Sequence, residues 1–415
     1  MSFSTIFLLC SIFFMLFSSV LWFILFLEKK EKMDQDPKPK RYPLVSIIIP
    51  AHNEEKTIKK SIISCLALNY PKKEIIVVND GSTDKTAEVC KPFVEKKLIR
   101  LINKPNGGKG SALNVGIKKA KGELVACLDA DSFFRRDALK HMAGYFENPN
   151  VAAVTSSMKI KNPKTWVQKI QWVEYLFAIY LRKLMSYLNC LYVVPGPGSM
   201  YRKDVLLKLG GFDENNLTED MEIAFRMQKN KYKIENSINA VVDTIGPASL
   251  RSLIKQRIRW YAGFCDNLKD YRDIIFNPKY TDLGMFMIPA SLAWVGLLIY
   301  GFFFMAKNFI NFISDPIRTY LLVGFDWDIF LKSIRESLHF EPNFLTAFSI
   351  ILTAVGIAVL YYSIVTSKEK IDIRKNGISY ALFMSLYSLL MAIFWGSALL
   401  FIFTRKERKW RGDKI

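Results

Sequence analysis

The chain has 415 residues, 51% of them hydrophobic and 14% aromatic, and carries a net charge of +20. Its three histidines and six scattered cysteines, none in C-x-x-C spacing, argue against a zinc site or a disulfide framework and fit a reducing compartment. A basic excess suits nucleic acid, an anionic membrane surface or a phosphorylated substrate; here Lys and Arg flank apolar blocks and no nucleic-acid recognition motif is present, so the expected partner is the lipid bilayer.

Ser2–Leu27 carries no charge and is long enough to cross a bilayer as a helix. Basic residues follow it (Lys29, Lys30, Lys32, Lys38, Lys40, Arg41), which predicts an uncleaved anchor over 1–28 with its N-terminus outside and the next segment in the cytoplasm. A charged, Pro-containing linker at 29–43 is expected to be extended. Residues 44–248 then alternate strand and helix patterns. Val45–Pro50, Glu74–Asp80, Ile99–Asn103 and Glu123–Ser132 read as buried strands, with helices over Glu55–Leu68, from about Asp84, and after the Gly-rich run Asn106–Gly110. This rhythm implies an α/β domain with a mostly parallel sheet, helices on both faces, and a ligand site beyond the strand carboxyl ends.

Polar clusters fall at those ends. Asp129-Ala130-Asp131 closes a strand; if extended, both carboxylates face one side and suit a hard divalent cation, Mg2+ or Mn2+, holding a diphosphate. The alternative is a solvated acidic turn. Asn79–Asp84 (NDGSTD) is a tight turn in which Asp80 faces a base or ribose, or in which Ser82 or Thr83 caps a helix. Thr218-Glu219-Asp220 opens a helix with Thr218 as a cap; acids favour helix starts, so a base role needs burial or neighbouring acids to offset the helix dipole.

Trp166–Val194 is apolar but interrupted by Lys169, Glu174, Arg182 and Lys183, which suits a helix lying in the membrane interface at about 165–190. Pro195–Ser199 makes a tight loop, either beside an acceptor or a plain turn. In the amphipathic stretch 249–282, Gln256, Arg259 and Trp260 share one helical face, fit for a diphosphate and a sugar ring, or for an interfacial anchor. Residues 283–415 carry three further spans, near 283–306, 345–366 and 378–403. Basic residues mark both the Lys368–Lys375 loop and the Arg405–Ile415 tail, one crossing apart. The positive-inside rule cannot satisfy both, and re-entry of 317–334 would change the parity, so the topology stays open.

In order and spacing, PAHNEE (50–55), VVNDGSTD (77–84), NGGKGSALN (106–114), LDADS (128–132), GPGSMYR (196–202), LTEDMEIAFRM (217–227) and QRIRW (256–260) resemble the processive branch of family 2 glycosyltransferases, which includes poly-N-acetylglucosamine, hyaluronan and cellulose synthases. The resemblance implies a GT-A nucleotide-sugar-binding domain with amphipathic interfacial and transmembrane helices. His52, Glu54 and Asp80 would line the nucleotide pocket, and Lys109, Gln256 and Arg259 would meet the diphosphate. Asp129 and Asp131 would engage diphosphate and metal, with Asp131 the direct ligand. Asp220 would be the general base, and Trp260 with Glu219 would face the acceptor. Here Asn79 stands where the family often has an acid. The implied activity is inverting transfer from a UDP-sugar to a growing β-linked glycan. One-step transfer to a membrane lipid acceptor is the alternative, and a non-catalytic transporter or scaffold is the third reading.

Overall fold

The computed structural model describes residues 3–324, 327–328, 331–332 and 344–404. Eight strands form one sheet: β1 (Val45–Ala51), β2 (Lys73–Asp80), β3 (Arg100–Lys104), β4 (Leu124–Cys127), β5 (Ser132–Phe134), β6 (Val151–Ile160), β7 (Ser199–Arg202) and β8 (Lys233–Thr244), in the order β3-β2-β1-β4-β7-β6-β8-β5. β3, β2, β1 and β4 run parallel; β7 is antiparallel to both β4 and β6, β6 runs parallel to β8, and β5 is antiparallel to β8. The sheet is therefore mixed, with a parallel half that carries the expected pattern.

Both faces of β1 are covered, which is why its sequence reads as a continuous apolar run rather than an alternation. Ile48 packs with Leu113 and Ile117 of α4 (Lys109–Lys119) on one face. Ile47 and Ile49 pack with Ile58, Ile62 and Cys65 of α2 (Ile58–Leu66) on the other. After β3 the chain passes back over β1 to β4, so strand order reverses there and the crevice beyond the carboxyl ends of β1 and β4 is open to a ligand. β4 stops at Cys127, earlier than the expected 123–132 strand, because the acids that follow form a turn closed by the Ser132 N–H to the Asp129 carbonyl at 3.0 Å.

Among the described residues, four helices are long and apolar enough to cross a membrane. They are α1 (Phe3–Lys29), α10 (Ile288–Val323), α11 (Phe344–Thr366) and α12 (Ile373–Thr404). α10 continues well past 306, and most of 325–334 and all of the 405–415 tail lie outside the described residues. Ring contacts give the relative directions. Phe7 meets Tyr300 and Trp22 meets Phe286, so α1 and α10 are antiparallel; Phe26 meets Tyr362, so the C-terminal ends of α1 and α11 lie together.

The 29–43 linker is held rather than free. Asp36, 5% exposed, accepts from Tyr145 at 2.8 Å and Asn239 at 2.9 Å and pairs with His141 at 3.0 Å. The loop between α11 and α12 is fastened to the same domain. Buried Lys159 of β6 donates to the Ser367 carbonyl at 2.5 Å and to Glu369 at 2.7 Å, and Lys368 pairs with Asp34 at 2.6 Å. α6 (Trp166–Tyr187), started by a Thr165–Gln168 capping box, packs against α11, α12 and the sheet.

Lys159→Met leaves the Glu369 carboxylate and the Ser367 carbonyl without their partner. We expect a loss of roughly 3 kcal/mol, the low end for breaking a buried pair, read as a lower Tm and faster proteolytic cleavage within 367–372.

Candidate active site

The loops after β1 and β2 are laced together by polar contacts. The Asn53 N–H donates to the Ser82 hydroxyl at 3.0 Å, and Asn53 Oδ1 accepts from the Thr83 N–H at 2.8 Å. The Glu55 N–H donates to Asp84 at 3.1 Å. Ser82 and Thr83 are thus spent on this lacing and cap no helix; the following helix, α3, begins at Thr86, whose N–H donates to Asp84 at 2.9 Å. The His52 ring nitrogen lies 2.8 Å from the Asp80 carbonyl, with the Asn106 amide 3.4 Å away.

The buried Asp80 carboxylate takes the Lys104 ammonium at 2.5 Å and the N–H groups of Gly107 and Gly108 at 3.0 and 2.8 Å. It is the post on which the Gly-rich loop is built. Gly81 must be glycine: its φ is +66° and a Cβ would lie 2.6 Å from the Asn106 nitrogen.

From that loop α4 begins at Lys109, whose ammonium reaches the centre of the site. It lies 2.6 Å from Asp129 Oδ1 and 3.4 Å from Glu219 Oε1. Glu219 and Asp220 open α8 (Glu219–Lys229), and the Gly196 N–H donates to Asp220 Oδ2 at 3.1 Å. A side chain at Gly196 would overlap the Lys109 amine, so the Pro195–Ser199 loop lies across the centre of the site. Thr218 does not cap α8: its hydroxyl accepts from Asn267 at 3.1 Å, tying the helix start to α9 (Leu250–Asp270).

Burial raises the Asp131 carboxyl, and the charges of Asp129 and Glu54 raise it further, which brings these three acids into one neighbourhood. The strand argument for the Asp129–Asp131 pair does not hold, since both sit in a turn; the turn brings them together instead. Burial also raises Glu54, whose carboxylate accepts from the Thr57 hydroxyl. Asp220 is pushed up to about 6, first by burial and then by Glu219, while Lys109, Arg259 and the Gly196 N–H oppose the shift. Burial and the Glu219 charge outweigh the helix-start dipole that would otherwise keep it low.

On α9, Arg259 donates to the Leu217 carbonyl at 3.2 Å, beside the start of α8. Gln256 Oε1 is buried and makes no hydrogen bond among the described residues. Trp260 lies under the guanidinium of Arg257, 4.1 Å from its ring centroid. Arg257 is 1% exposed and pairs with Glu174 of α6 at 2.7 Å, and Glu174 also takes a hydrogen bond from Tyr387 of α12. The i,i+3 spacing of Arg257 and Trp260 was available in the sequence, whereas Glu174 lies too far along the chain to be paired by reading alone. Lys104, the partner of Asp80, has no motif to announce it.

Among the described residues no three His, Cys, Asp or Glu side chains form a ready-made metal cage. The donor set nevertheless fits Mg2+ or Mn2+. Asp129 and Asp131 are hard oxygen donors set against each other's charge, and two protein ligands leave positions for phosphate oxygens and water. The sheet, with its crevice beyond the carboxyl ends of β1 and β4, is of the GT-A type. Residues 46–210 match the model of Glycosyl transferase family 2. The chain is 32% identical over 294 residues to a poly-beta-1,6-N-acetyl-D-glucosamine synthase of Staphylococcus epidermidis, covering 70% of this chain and 70% of that one. It is 30% identical over 262 residues to the synthase of Staphylococcus aureus strain COL, covering 61% and 63%. The mannosyltransferase PcManGT from Pyrobaculum calidifontis, solved in complex with GDP-Man and Mn2+, shares the fold with a TM-score of 0.58 at 19% identity, over 96% of this chain and 99% of that one. This chain belongs to glycosyl transferase family 2 and is a glycosyltransferase.

α9 meets the start of α8 at Gly263, where a Cβ would overlap the Thr218 side chain. Gly263→Ala displaces the Thr218 side chain at the start of the helix that carries Glu219 and Asp220. We expect a loss of about 1–3 kcal/mol from overpacking and a drop in sugar transfer larger than the drop in Tm explains, measured on the same preparation.

Proposed function

We propose that this enzyme extends a β-linked polysaccharide at a membrane from a nucleoside-diphosphate sugar, with UDP-N-acetylglucosamine the first donor to test. The observation that carries this reading is the ion-paired cluster of Lys109, Asp129 and Glu219, with Asp220 and Arg259 beside it, in a chain that also carries four apolar helices of bilayer length. The names of the similar synthases support the sugar and the linkage.

In the proposed chemistry the acceptor hydroxyl oxygen attacks the anomeric carbon as the bond to the diphosphate oxygen breaks, inverting that centre. The proton passes to Asp220. An acid at this position accepts a proton near neutrality because burial and Glu219 have raised it. Asp131 and Asp129 would hold the divalent cation, which when bound supplies positive charge to the departing diphosphate. Lys109 and Arg259 add positive charge, and the amide NH2 of Gln256, one helical turn from Arg259, is the group that donates to a phosphate oxygen. His52, Glu54 and the Asp80 turn form the floor for the nucleotide. Trp260, backed by Arg257, offers a flat face to the acceptor sugar.

The helix directions support a topology for the reading. The ends of α1 and α11 and the loop before α12 meet the catalytic domain, and from that loop α12 runs along α6 and α9, with Phe394 and Trp395 still packed against them, before ending at Thr404. With the domain in the cytoplasm, the basic 368–375 loop satisfies the positive-inside rule and Thr404 reaches the far side. A protease-cleavable tag inserted after Thr404 should be cut from outside intact cells, while one at Lys370 should be protected; the reverse pattern would invert the topology.

Asp220→Asn should lower transfer by 10²- to 10⁴-fold while donor binding stays. In the unaltered enzyme kcat/KM should fall as pH drops through about 6, because the ionised form of Asp220 is the base and exists above that value. Full activity in the Asn variant would remove Asp220 from the chemistry. Mass analysis of products from a UDP- and GDP-sugar panel tests donor and acceptor together: a single sugar on an extracted lipid would replace the polysaccharide reading.

A further inference from the structure

A second polar cavity of about 350 Å³ lies away from the active site, lined by Lys32, Gln35, Tyr145, Lys183, Ser186, Tyr187, Asn189, Lys233 and Glu235. Lys233 is the first residue of β8, and β8 runs in the same direction as β4 through β6 and β7. The cavity therefore opens at the amino ends of the strands, opposite the crevice that holds Lys109 and Asp129. It is walled by the end of α6 and by the turn that follows α1, where Leu25, Phe26 and Met33 pack against Ile179, Tyr180, Leu184 and Ile238.

The charges in this cavity do not balance. Three lysines face one glutamate. Lys183 is 2% exposed, and among the described residues its ammonium donates only to the Asn236 carbonyl at 2.8 Å and the Tyr145 hydroxyl at 3.1 Å, with the rings of Tyr145 and Tyr187 at 5.5 and 5.2 Å. Among the described residues no carboxylate lies within ion-pair distance of it: Asp36 is taken by His141, Asn239 and Tyr145, and the charge of Glu235, the acid in the cavity wall, is shared between Lys183 and Lys233. A buried ammonium with no direct ion pair is costly, and one N–H of Lys183 is still to be used. The Tyr187 hydroxyl and the Asn189 amide oxygen are also buried there without hydrogen-bond partners. A cavity with excess positive charge, a spare ammonium N–H and a spare hydroxyl has the chemistry of an anion site.

We infer that this cavity binds a phosphate group, held by Lys183 at its base and by Lys32 and Lys233 at its rim, with Tyr187 donating. Lys32 lies three residues beyond the end of α1, the depth at which a phospholipid headgroup meets a helix that leaves the bilayer. The group belongs either to an anionic lipid or to a free phosphate compound. Only the lipid source rests on the membrane reading above; the anion site stands on the cavity itself.

The full-length protein is tested in two arms by thermal unfolding: in detergent with inorganic phosphate replacing chloride at constant ionic strength, and in nanodiscs of phosphatidylglycerol against phosphatidylcholine. The Lys32→Gln/Lys233→Gln double variant is compared with Lys91→Gln/Lys96→Gln, which removes the same charge from exposed positions within and just past α3 (Thr86–Glu95). The expected result is a Tm rise in at least one arm, with the apparent affinity reduced roughly tenfold or more in the first double variant and kept in the second. A rise with phosphate alone assigns a free phosphate compound, and a rise only in phosphatidylglycerol assigns a lipid. Lys183→Met should be insensitive to either; if it fails to fold, the two double variants still decide. No rise in either arm, or equal responses from both doubles, overturns the site.

Discussion

The active site is organised around one ammonium group. Lys109 stands at the first turn of α4 and draws Asp129 from the turn after β4 and Glu219 from the start of α8 toward itself. Without that cation, several carboxylates from distant stretches of chain would meet in a half-buried space and repel one another. With it, Asp129 and Glu219 have a cation to face, while Asp131 and Asp220, outside ion-pair distance of the amine, are raised by burial and by their acidic neighbours. One lysine thereby gives acids that the sequence presents as equals different surroundings.

Lys109 depends in turn on Asp80. The Gly-rich loop that delivers α4 is hung on the Asp80 carboxylate through two backbone N–H groups and Lys104, and Gly81 lets the chain pass close enough for that to happen. Asp80 is thus a structural post for the loop as well as a candidate wall of the nucleotide pocket. The two roles are compatible, since a carboxylate has more acceptor sites than these three donors occupy.

On the other side of the crevice, α9 is fixed by contacts of a different kind. Gly263 admits close approach to Thr218, and Arg257 is clamped between Glu174 and the Trp260 ring. Tyr261 stacks on Trp395 of α12 with centroids 4.4 Å apart. The helix bearing Gln256, Arg259 and Trp260 is therefore packed at once against the catalytic domain and the apolar helices. Buried ion pairs add little net stability, but they fix which helix lies against which, and here that decides where the indole stands.

Much of this molecule was readable from the chain alone. The β1, β2 and β4 runs are apolar on both faces, the Gly-rich loop precedes a helix, and uncharged stretches of bilayer length declare themselves by local period and length. The order of the polar clusters named the family, because each sits at a strand end or helix start that local pattern can locate. Tertiary structure alone decided which side chains share a charge. Nothing near Lys104 points to Asp80, nothing near Glu174 points to Arg257, and strand alternation gave the wrong reason for the meeting of Asp129 and Asp131, which a turn brings about. Likewise, charge counting left two basic segments in conflict, and the ion pairs of Lys159 and Lys368 show which of them lies against the catalytic domain. Local sequence sets backbone preference over a few residues; pairings of charge across the fold depend on loop closures that only the packed chain makes.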